Sequence, residues 1–276
     1  MQNAGIAALG LDWRYVACDV PPENLRAAIA GAKAMKFIGL NLTVPHKLLA
    51  MELVDALDES AKTWGAVNTI RFEAKDGNGT WKPLHGFTDA PNEIRAHGFN
   101  TDADAIALSI REELKLELRG ARVLLLGAGG AGRAAALKLA EQEVADLHLV
   151  NRTQSKAEEL AEEIRQRFPA SRVHTGYPSG RVDLVLNATS LGLKSDDSLP
   201  LDQKAFALKN AVAVYDMIYR PAETPLLRAA KAAGCRAANG LGMLLHQGAK
   251  ALEIWSGQRA PIDVMRRALE KNVYGG

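Results

Sequence analysis

The apolar residues of this chain change rhythm near residue 100. Downstream of that point, short continuous apolar runs alternate with segments of helical spacing. VLLLG at 123–127 is such a run and closes on glycine, and the helical segment at 135–142 follows it. LHLV at 147–150 comes next, then the amphipathic SKAEELAEEIRQRF, which Ser155 and Glu158 open in the spacing of a capping box. VDLVLN at 182–187 and AVAVYDM at 211–217 are two further apolar runs. Strands that stay apolar without alternating are buried on both faces. This part therefore predicts a parallel sheet with helices on each side, an α/β doubly wound domain over 103–240.

The first hundred residues predict a separate α/β unit. FIGLNLTV at 37–44 and AVNTIRFE at 66–73 read as strands, accompanied by helices such as ENLRAAIAGAK. EAKDGNGTWKP is rich in turn formers and reads as a hairpin tip. Two helices, at 241–255 and 261–271, follow the completed doubly wound domain. They are expected to pack back on the N-terminal unit, making a discontinuous first domain of 1–102 and 241–276. There are no internal repeats and no low-complexity tract.

Composition narrows the picture only slightly. The chain has 276 residues, 47% hydrophobic and 24% charged, and a net charge of +2. That balance suits a globular protein with a sizeable core and gives no field for nucleic acid or a membrane surface. No run reaches the roughly 18 apolar residues of a membrane span. The six histidines (46, 85, 97, 148, 174 and 246) show no metal-ligand spacing, so no metal is expected. Cys18 and Cys235 match no disulfide framework, and the first residues lack the form of a signal peptide. A cytoplasmic protein is expected.

Chemistry enters with GAGGAG: Gly127, Ala128, Gly129, Gly130, Ala131 and Gly132. The motif follows a strand and opens a helix, where glycines allow a tight turn and bring a pyrophosphate close to the amides of the helix N-terminus. Tight strand-to-helix turns also use glycine for structure alone, but strand, helix and second strand in register make this a Rossmann-like dinucleotide site. The second strand selects the dinucleotide. An NAD site usually ends that strand in Asp or Glu, about 20 residues on. Here the slot reads Asn151, Arg152 and Thr153, with Lys156 one turn later. No carboxylate repels a 2′-phosphate; Arg152 and Lys156 can pair with one, and Asn151 and Thr153 can donate to it. NADP is the expected cofactor.

In the N-terminal unit NLTVPHK, at 41–47, places Lys47 just after a strand, where α/β sites lie. Alone, Lys47 reads as a surface lysine, Asn68 as a turn residue and Asp102 as a helix cap. The order changes that. NxTxPxK, GAVNT (65–69), NTD (100–102), GAGGAG, NRT, NATSLG (187–192), YDMIY (215–219) and GLGMLLHQ (240–247) together resemble the shikimate dehydrogenase family over essentially the whole chain.

The resemblance implies a substrate-binding domain and an NADP-binding domain with the active site in the cleft between them. It implies reversible, NADP-dependent reduction of 3-dehydroshikimate to shikimate, a step of chorismate and aromatic amino-acid biosynthesis. Lys47 and Asp102 match the family's catalytic pair. An ammonium suits the reaction because it stabilises a developing alkoxide and can give up a proton. Thr43, Asn68, Asp102 and Gln247 match positions that hold the substrate's hydroxyls, and Tyr215 lies toward its carboxylate. Asn187 and Thr189 match the cofactor loop, and Met217 and Gly240 are expected to flank the nicotinamide. A homodimer is the assembly to test.

Two departures stand out. Family members begin with a strand, a glycine turn and a Ser-x-Ser-Pro segment ahead of the helix that opens this sequence, and the two serines bind the substrate carboxylate. The expectation is that the natural start lies upstream of Met1. Second, 85–97 reads as an insertion of about a dozen residues forming a mobile loop, since PLHGFTDAP and RAHGFNTDA look alike. Spacing to Gly127 and the complete NTD select Asp102 over Asp89. Two alternatives stay open: a quinate/shikimate dehydrogenase of broader specificity, and a non-catalytic nucleotide-binding relative.

Overall fold

The computed structural model describes residues 1–89, 91, 93–194 and 196–275, and the chain forms two compact units. The first comprises Met1–Asp102 and Leu245–Asn272, the second Ala103–Leu244 and Val273–Gly276. Relative to the expected boundaries, 241–244 and the last residues fall in the second unit.

The first unit holds helices α1 (Gln2–Ala8), α2 (Leu25–Ala34), α3 (His46–Leu49) and α4 (Glu59–Trp64) and a five-stranded sheet. Its strands are β1 (Gly39–Asn41), β2 (Ala56–Leu57), β3 (Thr69–Lys75), β4 (Trp81–Pro83) and β5 (Ile94–Phe99). The order is β1-β3-β5-β2, with β4 paired to β3. β3 runs antiparallel to β1, β4 and β5, and β2 runs parallel to β5. Strand alternation gives the sheet two unlike faces. Ile70, Phe72, Ala74 and Ala96 point into a core with Leu25, Ile29 and Val67. Arg71, Glu73, Arg95 and His97 share the other face, where Glu73 is 1% exposed and accepts from both arginines and from His97 Nδ1 at 3.2 Å.

Two expectations change here. The run 37–44 yields only a three-residue strand, because the chain turns at 43–46, where His46 N–H donates to Thr43 carbonyl at 2.8 Å. The stretch 85–97 is not simply a loop: residues 94–97 belong to β5, which lies between β3 and β2. Ala90 and Asn92 of that stretch lie outside the described residues.

The second unit contains α5 (which starts at the boundary, Asp102–Leu114), β6 (Arg122–Leu126), α6 (Gly130–Glu141), β7 (Asp146–Val150), α7 (Gln154–Arg167) and β8 (Val173–Thr175). β9 (Val182–Asn187), β10 (Ala211–Asp216), α8 (Pro225–Ala232) and β11 (Arg236–Asn239) complete it. Its six strands run in the order β11-β10-β9-β6-β7-β8, and every pairing is parallel. Leu124, Leu126, Val185 and Val214 are buried in one cluster between this sheet and its helices. The strand order reverses direction between β6 and β9, which makes their carboxyl ends the switch point where ligands of such sheets bind.

The Ser155–Glu158 capping box does not form. α7 starts at Gln154 with Thr153 in the cap position and no side-chain cap bond, so Ser155 is already inside the first turn. Gln154 Nε2 donates to Glu158 Oε1 instead, at 2.7 Å.

Helices α9 (Leu241–Ser256) and α10 (Ile262–Tyr274) close the chain, and most of each belongs to the first unit. Trp255 of α9 lies over Gly39 and donates its indole N–H to the Ile70 carbonyl at 2.9 Å. Any side chain at Gly39 would overlap that ring. Among the described residues no helix is long and apolar enough to cross a membrane, and no group of three or more metal-ligating side chains is assembled.

Candidate active site

In the first unit the structure joins residues far apart in sequence around Lys47. Lys47 is the second residue of the short helix α3 after β1, and its carbonyl accepts from Val67 N–H at 2.9 Å, which ties that helix to the segment just ahead of β3. Its Nζ donates to Asp102 Oδ2 at 2.8 Å. Both side chains are reachable from solvent, at 27% and 13% exposure, unlike a sealed structural ion pair. An ammonium has three protons to donate, so two remain for a ligand after Asp102 is served.

Asp102 is held in turn. Its N–H donates to Asn100 Oδ1 at 3.1 Å, and Asn100 Nδ2 donates to the Ala66 carbonyl at 3.0 Å. Asn68 is 2% exposed and pairs with Thr101 twice: Thr101 N–H donates to its Oδ1 and its Nδ2 donates to Thr101 Oγ1, both at 2.9 Å. Thr69 Oγ1 also donates to Asn68 Oδ1, at 3.2 Å, and Asn41 Nδ2 donates to Thr69 Oγ1 at 3.0 Å. The Asn68 oxygen is thus saturated, and the second hydrogen of its Nδ2 is what it can offer a ligand. Thr43 is exposed in the turn ahead of Lys47, and Gln247 is half-buried on α9.

In the second unit the switch point carries the glycine turn. Gly127 has φ +105°, a conformation strained for other residues, and a Cβ at Gly132 would overlap the Gly127 carbonyl. Gly129 and Gly130 are exposed, with no atom within 4 Å of where a Cβ would sit, so backbone amides at the start of α6 are open to an incoming group. α6 has no acidic residue in its first turn and no side-chain cap. A pyrophosphate fits such a turn. Beside it, Asn151 is committed to the fold: its Oδ1 accepts from Ala128 N–H at 3.0 Å and its Nδ2 donates to the Thr153 carbonyl at 2.8 Å. Asn151 therefore shapes the turn, while Arg152, Thr153 and Lys156 stay exposed for a phosphate.

Asn187 ends β9 next to this turn, and its Oδ1 accepts from Thr189 N–H and Oγ1 at 3.0 and 2.8 Å. Met217 and Gly240 are in contact, with no room for a side chain at Gly240 against the Met217 carbonyl. Tyr215 stands elsewhere. Its side chain is fully buried and its hydroxyl shares a 2.7 Å hydrogen bond with Ser109, also fully buried. Burial pushes its pKa well up. In this structure Tyr215 is a core residue with a satisfied hydroxyl rather than a ligand of a carboxylate, because β10 turns its ring into the interior.

The comparisons bear on the whole chain. Family models match in three segments: a shikimate dehydrogenase substrate-binding domain over residues 1–70, a shikimate/quinate 5-dehydrogenase domain over 109–190, and a shikimate 5′-dehydrogenase C-terminal domain over 240–270. A shikimate dehydrogenase (NADP(+)) of Methanopyrus kandleri is 37% identical, with 98% of this chain and 89% of the relative aligned. The chain belongs to the shikimate dehydrogenase family. Among solved structures, the shikimate 5-dehydrogenase of Thermus thermophilus, in complex with NADP(H) and shikimate, superposes with TM-score 0.78 at 33% identity, covering 98% of this chain and 92% of that one. A 5-ketofructose reductase of a Gluconobacter species superposes with TM-score 0.80 at 34% identity and the same coverages.

With the family in hand, Asn41, Asn100 and Thr101 are residues that lie inside the motifs but had been given no role. They are the ones that hold Asn68 and Asp102 in place. The signal for them was present: a buried amide such as Asn68 needs partners, and the neighbours NTD and NLT supply short polar side chains.

Proposed function

We propose that this chain reduces 3-dehydroshikimate to shikimate with NADPH, reversibly and in the cytoplasm. The observation that carries the reading is the accessible Lys47–Asp102 pair at 2.8 Å, set beside the anchored amide of Asn68. Support also comes from the names of the relatives.

The chemistry on this chain's side is proton management. NADPH, when bound, supplies the hydride. Lys47 donates a hydrogen bond to the ketone oxygen, stabilises the alkoxide as it forms, and gives it a proton from Nζ. Asp102 keeps the ammonium oriented, and its second oxygen accepts from a substrate hydroxyl. The free Nδ2 hydrogen of Asn68 meets another hydroxyl oxygen, with Thr43 and Gln247 offering further neutral partners. Such a ring selects a polyol, since leaving a buried polar group unpaired costs about 1–3 kcal/mol. For the cofactor, the glycine turn holds the pyrophosphate, Thr189, Met217 and Gly240 serve its nicotinamide side, and Arg152, Lys156 and Thr153 take the 2′-phosphate.

The test is a panel of ketones with NADPH: 3-dehydroshikimate, the ketone of quinate, and 5-ketofructose, the last because a 5-ketofructose reductase is among the similar structures. The expected result is the highest kcat/KM for 3-dehydroshikimate. A preference of tenfold or more for either other ketone would replace the substrate assignment.

A further inference from the structure

Asp216 ends β10 and is fully buried, yet it meets no cation among its hydrogen-bond partners. Its Oδ1 accepts from Asn187 Nδ2 at 3.0 Å and from Ile218 N–H at 3.1 Å, and its Oδ2 accepts from Thr224 Oγ1 at 2.6 Å. The donors come from the ends of two neighbouring strands and the connections that follow them. Asn187 opens the turn after β9, Ile218 lies in the loop after β10, and Thr224 caps α8 by accepting from Leu227 N–H at 3.3 Å.

Those segments carry residues assigned above to the cofactor. Asn187, fixed by Asp216 through its Nδ2, uses its Oδ1 to hold Thr189. Thr189 and Ala188 pack against Gly127 of the glycine turn, and Ala188 N–H donates to the Leu126 carbonyl at 2.8 Å. On the other side, Met217 N–H donates to the Asn187 carbonyl at 2.9 Å, and Gly240 N–H donates to the Ile218 carbonyl at 3.2 Å. One carboxylate thus stands between the 187–191 turn and the 216–218 loop.

A desolvated carboxylate without a counter-ion is an expensive way to fill a core. Its two oxygens can do what an apolar side chain or an amide cannot, which is accept from three independent donors at once. Asparagine there would place an NH₂ group against one set of donors.

We propose that Asp216 is a positioning residue for hydride transfer, locking the turn that bears Thr189 and the loop that bears Met217 in the arrangement that receives the nicotinamide end of the cofactor. The inference rests on the NADP reading above. It adds that the nicotinamide end depends on Asp216 and Thr224, whereas the 2′-phosphate end, at Arg152 and Lys156, does not.

The experiment compares the wild type with Asp216→Asn, Thr224→Val, Thr224→Ser and the Asp216→Asn/Thr224→Val double variant. Two probes are titrated calorimetrically: NADPH, and 2′,5′-ADP, which has the 2′-phosphate but no nicotinamide. Far-ultraviolet circular dichroism sets the folded fraction, and kcat and KM are measured with 3-dehydroshikimate. Asp216→Asn is expected to bind 2′,5′-ADP within twofold of wild type, to bind NADPH at least tenfold more weakly, and to lose at least tenfold in kcat. Thr224→Val is expected to follow it, Thr224→Ser to stay within threefold of wild type, and the double variant to be no worse than Asp216→Asn. If Asp216→Asn fails to fold, Thr224→Val carries the same comparison.

Equal weakening of both probes by the variants would reduce Asp216 to a structural role and overturn the proposal. Unchanged NADPH binding and kcat would overturn it too. A wild type that binds neither probe would instead sink the NADP reading, and this inference with it.

Discussion

Replacing Glu73 by glutamine should destabilise the first unit by about 3 kcal/mol at neutral pH, and the loss should shrink on acidification. Glu73 is 1% exposed on the polar face of the first sheet. Burial alone would raise its pKa, but hydrogen bonds from His97, Arg71 and Arg95 outweigh that and bring the carboxyl from 4.5 down to about 2. A drop of that size corresponds to about 3 kcal/mol between the two protonation states. It agrees in scale with the roughly 3–5 kcal/mol measured when one partner of a buried ion pair is removed. The sign follows from the depressed folded-state value. The contribution is fully present above pH 4.5 and is lost as the pH falls toward 2. Glutamine, which does not titrate, lacks it at every pH.

All four tryptophans (Trp13, Trp64, Trp81 and Trp255) lie in the first unit, so tryptophan fluorescence reports that unit selectively. Trp81 is itself within the cluster, its ring 4.5 Å from the Arg95 guanidinium carbon. Fluorescence-monitored thermal unfolding at pH 7 should show Glu73→Gln lowered by ~10 °C, with the gap closing between pH 4.5 and 2. Equal stability at pH 7, or a gap that stays constant on acidification, would refute the account of the cluster.

Three further outcomes are expected. Arg152→Ala with Lys156→Ala should weaken NADPH at least tenfold while leaving NADH within twofold, read by calorimetry, because only the 2′-phosphate loses its partners. Thr101→Val removes the hydroxyl that makes two hydrogen bonds to the buried Asn68 amide, and steady-state kinetics should show KM for 3-dehydroshikimate raised about tenfold, for an unpaired group costing about 1–3 kcal/mol. Tyr215→Phe should cost about 1 kcal/mol in denaturant unfolding, since Ser109 loses its buried partner, with KM for 3-dehydroshikimate unchanged; a tenfold rise in KM would return Tyr215 to the substrate.

The second unit was the more legible from sequence because its physics is repetitive. Strands buried on both faces read as unbroken apolar runs, and Val123–Leu126 is one such run. The Gly127–Gly132 turn announces itself because no other residue fits where the Gly132 Cβ would meet the Gly127 carbonyl. Short β8 and β11 were missed: His174 and Arg236 break any apolar pattern, and pairing to a neighbour rather than local sequence makes them strands.

The first unit was harder to read because its sheet is two-faced. β5 alternates Arg95, His97 and Phe99 with Ala96 and Gly98, a half-buried strand whose polar side looks like loop until Glu73 is seen opposite it. Ser155 misled for a local reason: the capping-box spacing was present, but Thr153 and Gln154 had already taken the helix start. At the candidate site, Lys47 and Asp102 were found by motif order, while their mutual 2.8 Å contact across 55 residues of sequence is a product of the fold. Tyr215 shows the converse, a polar residue in a motif whose hydroxyl the core itself uses.

The most direct test is kcat/KM for 3-dehydroshikimate with NADPH, followed as loss of the reduced-nicotinamide absorbance, for the wild type beside Lys47→Met. The account requires turnover by the wild type and a fall of at least ~10³ in Lys47→Met with the fold intact, because the proton donor and alkoxide partner are removed together. No turnover by a folded, NADPH-binding wild type, or a Lys47→Met variant as fast as wild type, would contradict it.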